Sequence, residues 1–134
     1  IPGENDSNEE ISTMSKWLVA NLGPDVPLHF SAFHPDYKMR QHPPTPASTL
    51  HRARQIARDA GMHYVSTGNI HDLDGDSTFC PGCQTPLIER DWYQLRGYHL
   101  HTGGTCPNCE QQIPGHFPEK PGNFGAKRIP IFFK

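Results

Sequence analysis

Apolar positions recur at helical spacing near the start of the chain: Ile11, Met14, Leu18 and Leu22, with Val19 beside them. Two overlapping capping boxes precede them, Asp6 three residues before Glu9 and Ser7 three before Glu10, and Gly23-Pro24 stop the pattern. The spacing predicts a helix over 7–22 whose apolar stripe is a core face. Leu28-His29-Phe30-Ser31-Ala32-Phe33-His34 then reads as a strand ended by Pro35, with Leu28, Phe30, Ala32 and His34 on one side and His29, Ser31 and Phe33 on the other. Apolar groups on both sides predict cover on both faces, as in parallel α/β sheets. A loop over 35–46 holds Pro35, Pro43, Pro44 and Pro46. Thr45 as N-cap and Pro46 at the first helical position predict a second helix, with Leu50, Ala53, Ile56, Ala57 and Ala60 inward and Gly61 closing it. Its basic side, His51, Arg52, Arg54 and Arg58, reads as a solvated face. His63-Tyr64-Val65-Ser66-Thr67 is a second short strand. Helix, strand, helix, strand is the rhythm of a parallel α/β unit.

After Gly68 the pattern changes. Residues 79–117 show short strand-like runs, no helical period and all four cysteines. The predicted organisation is an α/β segment over 1–68, a four-cysteine β ribbon over 69–117 and a Pro/Gly-rich tail over 118–134. That tail ends in Ile129-Pro130-Ile131-Phe132-Phe133, an apolar stretch expected to pack on another surface. The 14 Pro and 12 Gly of the 134 residues fit a turn-rich second half. A net charge of −2 and a pI near 6.5 give no general attraction for nucleic acid or anionic membrane. No run approaches the roughly 18 apolar residues of a membrane span, and no basic-then-apolar leader is present, so the expectation is a cytoplasmic protein. Ile1-Pro2-Gly3 where a start Met would stand predicts a C-terminal piece of something longer.

Cys80-Pro81-Gly82-Cys83 and Cys106-Pro107-Asn108-Cys109 are two C-P-x-C pairs with 22 residues between them. Each pair spans one edge of a tetrahedral site, and two pairs complete it. Leu87 lies four residues after Cys83 and Ile113 four after Cys109, so each knuckle is followed by an apolar residue to pack beneath the metal. One departure stands out. Gln84 and Glu110 occupy the place after the second Cys where a left-handed turn usually carries Gly. The missing leader argues against disulfides, and duplication of the motif argues against a redox dithiol. The metal is zinc, with iron in a rubredoxin-like site as the alternative. Asp72, Asp74 and Asp76 imitate a calcium loop, but Gly75 and Cys83 stand at the wrong positions, which leaves a turn with solvated carboxylates. Of nine histidines, His99 and His101 alternate along a hairpin strand, and only His34 sits at the C-terminal end of an α/β strand, where such folds place ligands.

Ile1-Pro2-Gly3 before the Asn5-Asp6-Ser7 cap, Pro27-Leu28-His29-Phe30-Ser31-Ala32-Phe33-His34-Pro35, Tyr64-Val65-Ser66-Thr67-Gly68-Asn69 and the two Cys pairs together resemble one known group. It is the C-terminal part of radical SAM enzymes similar to the pyruvate formate-lyase activating enzyme, in the branch of the AmmeMemoRadiSam system. The resemblance implies the end of an α/β barrel followed by the ribbon, with His34 approaching the nucleoside of S-adenosylmethionine. In that family a C-x-x-x-C-x-x-C loop near the first strand holds a 4Fe-4S cluster that cleaves S-adenosylmethionine. That loop is absent from this sequence, whose four cysteines all belong to the C-P-x-C pairs. The cluster and S-adenosylmethionine therefore belong to the resemblance only together with an N-terminal half. The expected partners are that barrel half or a second copy, with a protein substrate also considered. A stand-alone zinc-ribbon binding module and a rubredoxin-like electron carrier are the alternatives. Residues 80–134 carry six Lys/Arg (Arg90, Arg96, Lys120, Lys127, Arg128, Lys134) against four acids, weak footing for nucleic acid.

Overall fold

In the computed structural model, which describes residues 1–122 and 130–133, the first helix, α1, runs Asn8–Leu22 with Ser7 as its N-cap. The Ser7 Oγ accepts the Glu10 amide at 3.2 Å, which satisfies one orphan donor of the first turn. At the far end the Gly23 N–H returns to the Val19 carbonyl at 3.1 Å. The buried stripe differs from the expected one. Ile11 and Ser15 are buried and Leu18 and Val19 half-buried, whereas Met14, Trp17 and Leu22 are exposed. Met14 sits roughly 60° off Ile11 at 100° per residue, and Leu22 is the last helical residue. Ser15 enters the stripe without an orphan polar atom because its hydroxyl donates to the Ile11 carbonyl at 2.7 Å.

Two short strands, β1 (Leu28–Ser31) and β2 (Val65–Gly68), flank the second helix, α2 (Ala47–Asp59). They pair in parallel, from Leu28 opposite Val65 to Ser31 opposite Gly68. The strand expected over 28–34 thus stops three residues early. Phe33 leaves the ladder for Thr45, whose backbone N–H donates to the Phe33 carbonyl at 3.0 Å and whose Oγ1 accepts the Phe33 amide at 2.9 Å. That hydroxyl is therefore not a helix cap; Pro46 holds the N-cap position of α2 with no side-chain hydrogen bond. The expected two-sided burial of β1 is found on one side only: Leu28 and Phe30 are half-buried, His29 and Ser31 exposed. Ala57, Met62 and Val65 form the core of this half, with Leu18, Val19, Val26, Leu28 and Phe30 packed against them.

The basic side of α2 is not simply solvated. Arg52 bonds the Asn8 side chain and the Asp6 carbonyl at the start of α1. Arg54 donates through Nε to the Val65 carbonyl at 2.9 Å and through Nη2 to the Asp74 carbonyl at 3.1 Å. Arg58 reaches the Gln84 side-chain oxygen in the first cysteine knuckle. A row of guanidiniums thus ties α2 to the start of α1, to β2, to α3 and to the first knuckle.

Past β2 comes a one-turn helix, α3 (Leu73–Asp76), and then an antiparallel sheet in the order β3 (Thr78–Phe79), β4 (Pro86–Asp91), β5 (Gln94–Tyr98). The second core is Cys80, Leu87, Ile88, Leu100, Cys106 and Ile113, with Tyr64, Cys83, Tyr98 and Phe117 against it. Phe117 lies over Gly104, whose φ of 84° and close approach to the ring both exclude a Cβ. His99 and His101 do not share a strand. The His99 amide bonds the Leu87 carbonyl at 2.8 Å, while His101 bridges Thr105. The chain is therefore a mixed α/β protein with an antiparallel ribbon that gathers the cysteines. In the tail, Ile131, Phe132 and Phe133 are exposed, so the surface expected to cover them is not among the described residues. Ile129, Lys127, Arg128 and Lys134 lie outside the described residues. No described helix is long and apolar enough to cross a membrane.

Asp72 corrects the picture of a solvated acidic turn. Its Oδ2 accepts the Thr67 hydroxyl at 2.9 Å and lies 3.2 Å from His51 Nε2. Burial pushes the carboxyl up, but the Gly75 amide, Thr67, His51 and Arg54 outweigh it and hold its pKa below the ordinary value. A carboxylate depressed in the folded state contributes stability above the unfolded value of about 3.9, and that contribution is lost as pH falls through the folded value. Asp72→Asn should therefore lower the thermal midpoint at neutral pH, with the gap from wild type closing below about pH 4. Circular-dichroism melts across pH would show this; identical melts at neutral pH would mean the contacts around Asp72 contribute nothing.

Candidate metal centre

The two knuckles repeat one another bond for bond. The Cys80 N–H donates to the Thr85 carbonyl and the Gln84 N–H to the Cys80 carbonyl, both at 2.9 Å. In the second knuckle Cys106 N–H donates to the Gln111 carbonyl at 2.9 Å and Glu110 N–H to the Cys106 carbonyl at 3.0 Å. Each turn needs a left-handed residue after its second cysteine, and Gln84 (φ 58°) and Glu110 (φ 61°) adopt it without being glycine. Leu87 and Ile113 are buried beneath the two turns, as their matching offsets predict.

This pairing brings the four sulfurs of Cys80, Cys83, Cys106 and Cys109 within 4.8 Å of one another. The Cys80–Cys109 pair stands at 3.5 Å and the Cys83–Cys106 pair at 3.6 Å. A disulfide would need about 2.05 Å. A tetrahedron of thiolates at about 2.3 Å from a central ion has edges of about 3.8 Å, so the cluster is sized for a metal. Cys80 and Cys106 are buried, Cys83 is half-buried and Cys109 is exposed. The donor set fits zinc or iron, both of which accept four thiolates.

Without a cation the four groups cannot all ionise. Hydrogen bonds from the Thr85 hydroxyl, the Asn108 side chain and the Thr85 amide bring Cys83 down to about 5. At Cys109 the Gln111 amide pulls downward, but the neighbouring thiols and partial desolvation push it up to about 12. Cys83 thus favours the thiolate while Cys109 is held protonated; a divalent ion removes that conflict. Thr85 and Asn108 are supporting residues that cysteine spacing alone did not single out. Their signal is position, Thr85 two after Cys83 and Asn108 within the second knuckle.

His34 stands apart. It is exposed, three residues past the end of β1, on a stretch that leads into the proline-rich loop. The structure does not bring it to the sulfurs. Asp72, Asp74 and Asp76 form no ligand cluster either; among the described residues the cysteine group is the one set of three or more such side chains with convergent ligand atoms.

Metal analysis of the reduced chain should give one zinc or iron per molecule, with a colourless solution for zinc and a red one for ferric iron. A value well below one would sink the assignment. Replacing any one cysteine by Ser should unfold the ribbon while leaving the helical signal of α1 and α2 largely in place. A structural zinc supplies on the order of 10 kcal/mol, more than a six-residue core can replace.

The chain is similar to the uncharacterized protein MJ0808 of Methanocaldococcus jannaschii, with 43% identity over 114 residues, 84% of this chain and 34% of that protein. It spans about a third of the length of the curated relative it matches. No family model matches the chain, and no solved structure matches it.

Proposed function

We propose that the chain is the C-terminal segment of a radical SAM enzyme of the AmmeMemoRadiSam type, closed by a structural four-cysteine zinc ribbon. The observation that carries this reading is the unfinished parallel sheet. β1 and β2 are its only strands among the described residues, and the His29 and Ser31 side of β1 is exposed. Parallel strands are normally covered on both faces, and two of them cannot close a barrel. An upstream barrel half would supply the missing strands, and the relative has about two thirds of its length outside the matched stretch. His34, just beyond the C-terminal end of β1, then lies at the barrel mouth, where α/β folds bind ligands.

In this reading S-adenosylmethionine and the 4Fe-4S cluster come with the upstream half, and the bound cluster supplies reductive cleavage of the sulfonium. The residues of this chain contribute a wall of the nucleoside pocket through His34 and a rigid cap through the ribbon. The partner is the barrel half itself or, failing that, a second copy that covers the open strand. Four thiolates kept reduced for a metal suit the cytoplasm. A rubredoxin-like carrier is the second reading, favoured by the exposed Cys109, which brings the metal within one side chain of solvent.

Two measurements test the proposal. The gene should encode a C-x-x-x-C-x-x-C loop upstream of Ile1, and the chain alone should release no 5′-deoxyadenosine after iron–sulfur reconstitution. A missing loop, or turnover by the isolated chain, overturns it. Separately, the amides of β1 should exchange fast in the monomeric chain and slowly once the upstream half or a second copy is bound. A monomer by light scattering with slowly exchanging β1 amides would show a self-sufficient domain instead.

A further inference from the structure

A cavity of about 350 Å³ opens between the α/β half and the ribbon. It lies at the N-terminal ends of the parallel strands, where Asp25 and Pro27 precede β1 and Tyr64 precedes β2. His34 is at the opposite ends of the same strands, so the cavity is separate from the site proposed above and does not depend on that reading.

Three arginines line this cavity, Arg54, Arg58 and Arg90. Elsewhere on the chain Arg52 and Arg96 pair with Asp6 and Asp91. The three cavity arginines have no carboxylate partner among the described residues. Arg54 bonds two backbone carbonyls, Arg58 the Gln84 amide oxygen, and Arg90 the Asp76 carbonyl and the Thr78 hydroxyl. Each leaves part of its five-donor fork unspent. Asp72 and Asp74 act on Arg54, and Asp76 on Arg90, only from beyond salt-bridge distance, so burial of these cations is incompletely compensated. Asp25, the one acid in the lining, lies 2.7 Å from His63 Nδ1.

A second observation points the same way. The Tyr64 hydroxyl is buried and has no hydrogen-bond partner. An orphan hydroxyl is rare in native structures and marks a missing partner. Phe79, Ile113 and Phe117 give the cavity an apolar wall. Its volume lies in the range of small-molecule sites, which join a mostly apolar lining to a few convergent polar groups.

From these features we infer that the cavity between the α/β half and the ribbon is a binding site for a small organic oxyanion, an apolar or aromatic body carrying a carboxylate or phosphate. The head group would take the unspent donors of the arginines and the Tyr64 hydroxyl, and the body would lie against the ribbon wall. The ligand would therefore touch both halves at once.

The test uses the full chain loaded with its metal. Phenyl phosphate and phenylacetate separate the two head groups, inorganic phosphate reports the head alone, and benzylamine is the matched cation. Titration calorimetry should show at least one of the two aromatic anions binding with a Kd of about 1 mM or tighter, about tenfold tighter than inorganic phosphate and with no binding of benzylamine. Tyr64→Phe and Arg58→Gln should each weaken that binding about tenfold, the scale of one hydrogen bond to a charged group. Tyr64→Phe should keep its metal content and should not lower the melting point without ligand, since it removes only an orphan hydroxyl. A cavity that binds neither aromatic anion, binds benzylamine equally, or binds both variants as well as wild type overturns the proposal. A lowered melting point of Tyr64→Phe without ligand would do so too, because the hydroxyl would then have a partner within the chain.

Discussion

The constraint on which the structure depends is that four thiol groups are held within 4.8 Å of one another. Thiolates at that spacing repel, and only a central cation turns the repulsion into cohesion. The ribbon has little else to hold it. Two of its six core residues, Cys80 and Cys106, are themselves ligand positions, and Leu87 and Ile113 are buried beneath the turns that carry them. The ligand positions and the hydrophobic core are thus one unit here.

The first knuckle also explains why glycine is not required where the chain turns left-handed. A left-handed non-glycine residue costs roughly 1–2 kcal/mol. Gln84 offsets this with its side chain: Nε2 donates to the Cys80 and Pro81 carbonyls at 3.1 and 3.3 Å, and Oε1 accepts from Arg58. Hydrogen bonds worth about 1 kcal/mol each cover the strain. Glycine would relax the backbone and cut the link to α2. Glu110 occupies the matching place in the second knuckle, is exposed, and nothing in the structure explains why it is not glycine.

What was legible in the sequence follows from how local each signal is. The Ser7 cap, the Gly23 stop, the parallel βαβ order and the cysteine cluster rest on short-range rules, and the structure has all of them. Most errors fell where a distant partner claimed a residue, and one where the buried stripe of α1 ran beside the predicted one. Thr45 has good cap chemistry, but its hydroxyl takes the amide of Phe33, twelve positions away. Met14 fits the helical period yet lies off the covered stripe, while Ser15, a polar residue, is buried because it satisfies its own hydroxyl. The arginines of α2 read as solvent-facing because charge alone does not reveal carbonyls supplied by β2 and α3. His34 could be placed just past a strand end, and the structure leaves it exposed there.

The joint between the halves is more than a linker. Arg54 holds α2 to β2 and to α3, Arg58 holds it to the knuckle, and Arg90 of β4 returns to the Asp76 carbonyl at the end of α3. All three spend donors on neutral oxygens and line the same cavity. A joint made of apolar contacts would have no use for cations, and one made of salt bridges would have paired them. Arginines anchored at one end of the fork and unspent at the other suit a surface that is rigid before a negative group arrives. The cysteine ribbon forms one wall of that surface and the β1–β2 pair the other. Disrupting the four-cysteine cluster would therefore be felt at the cavity, although no cysteine lies in its lining.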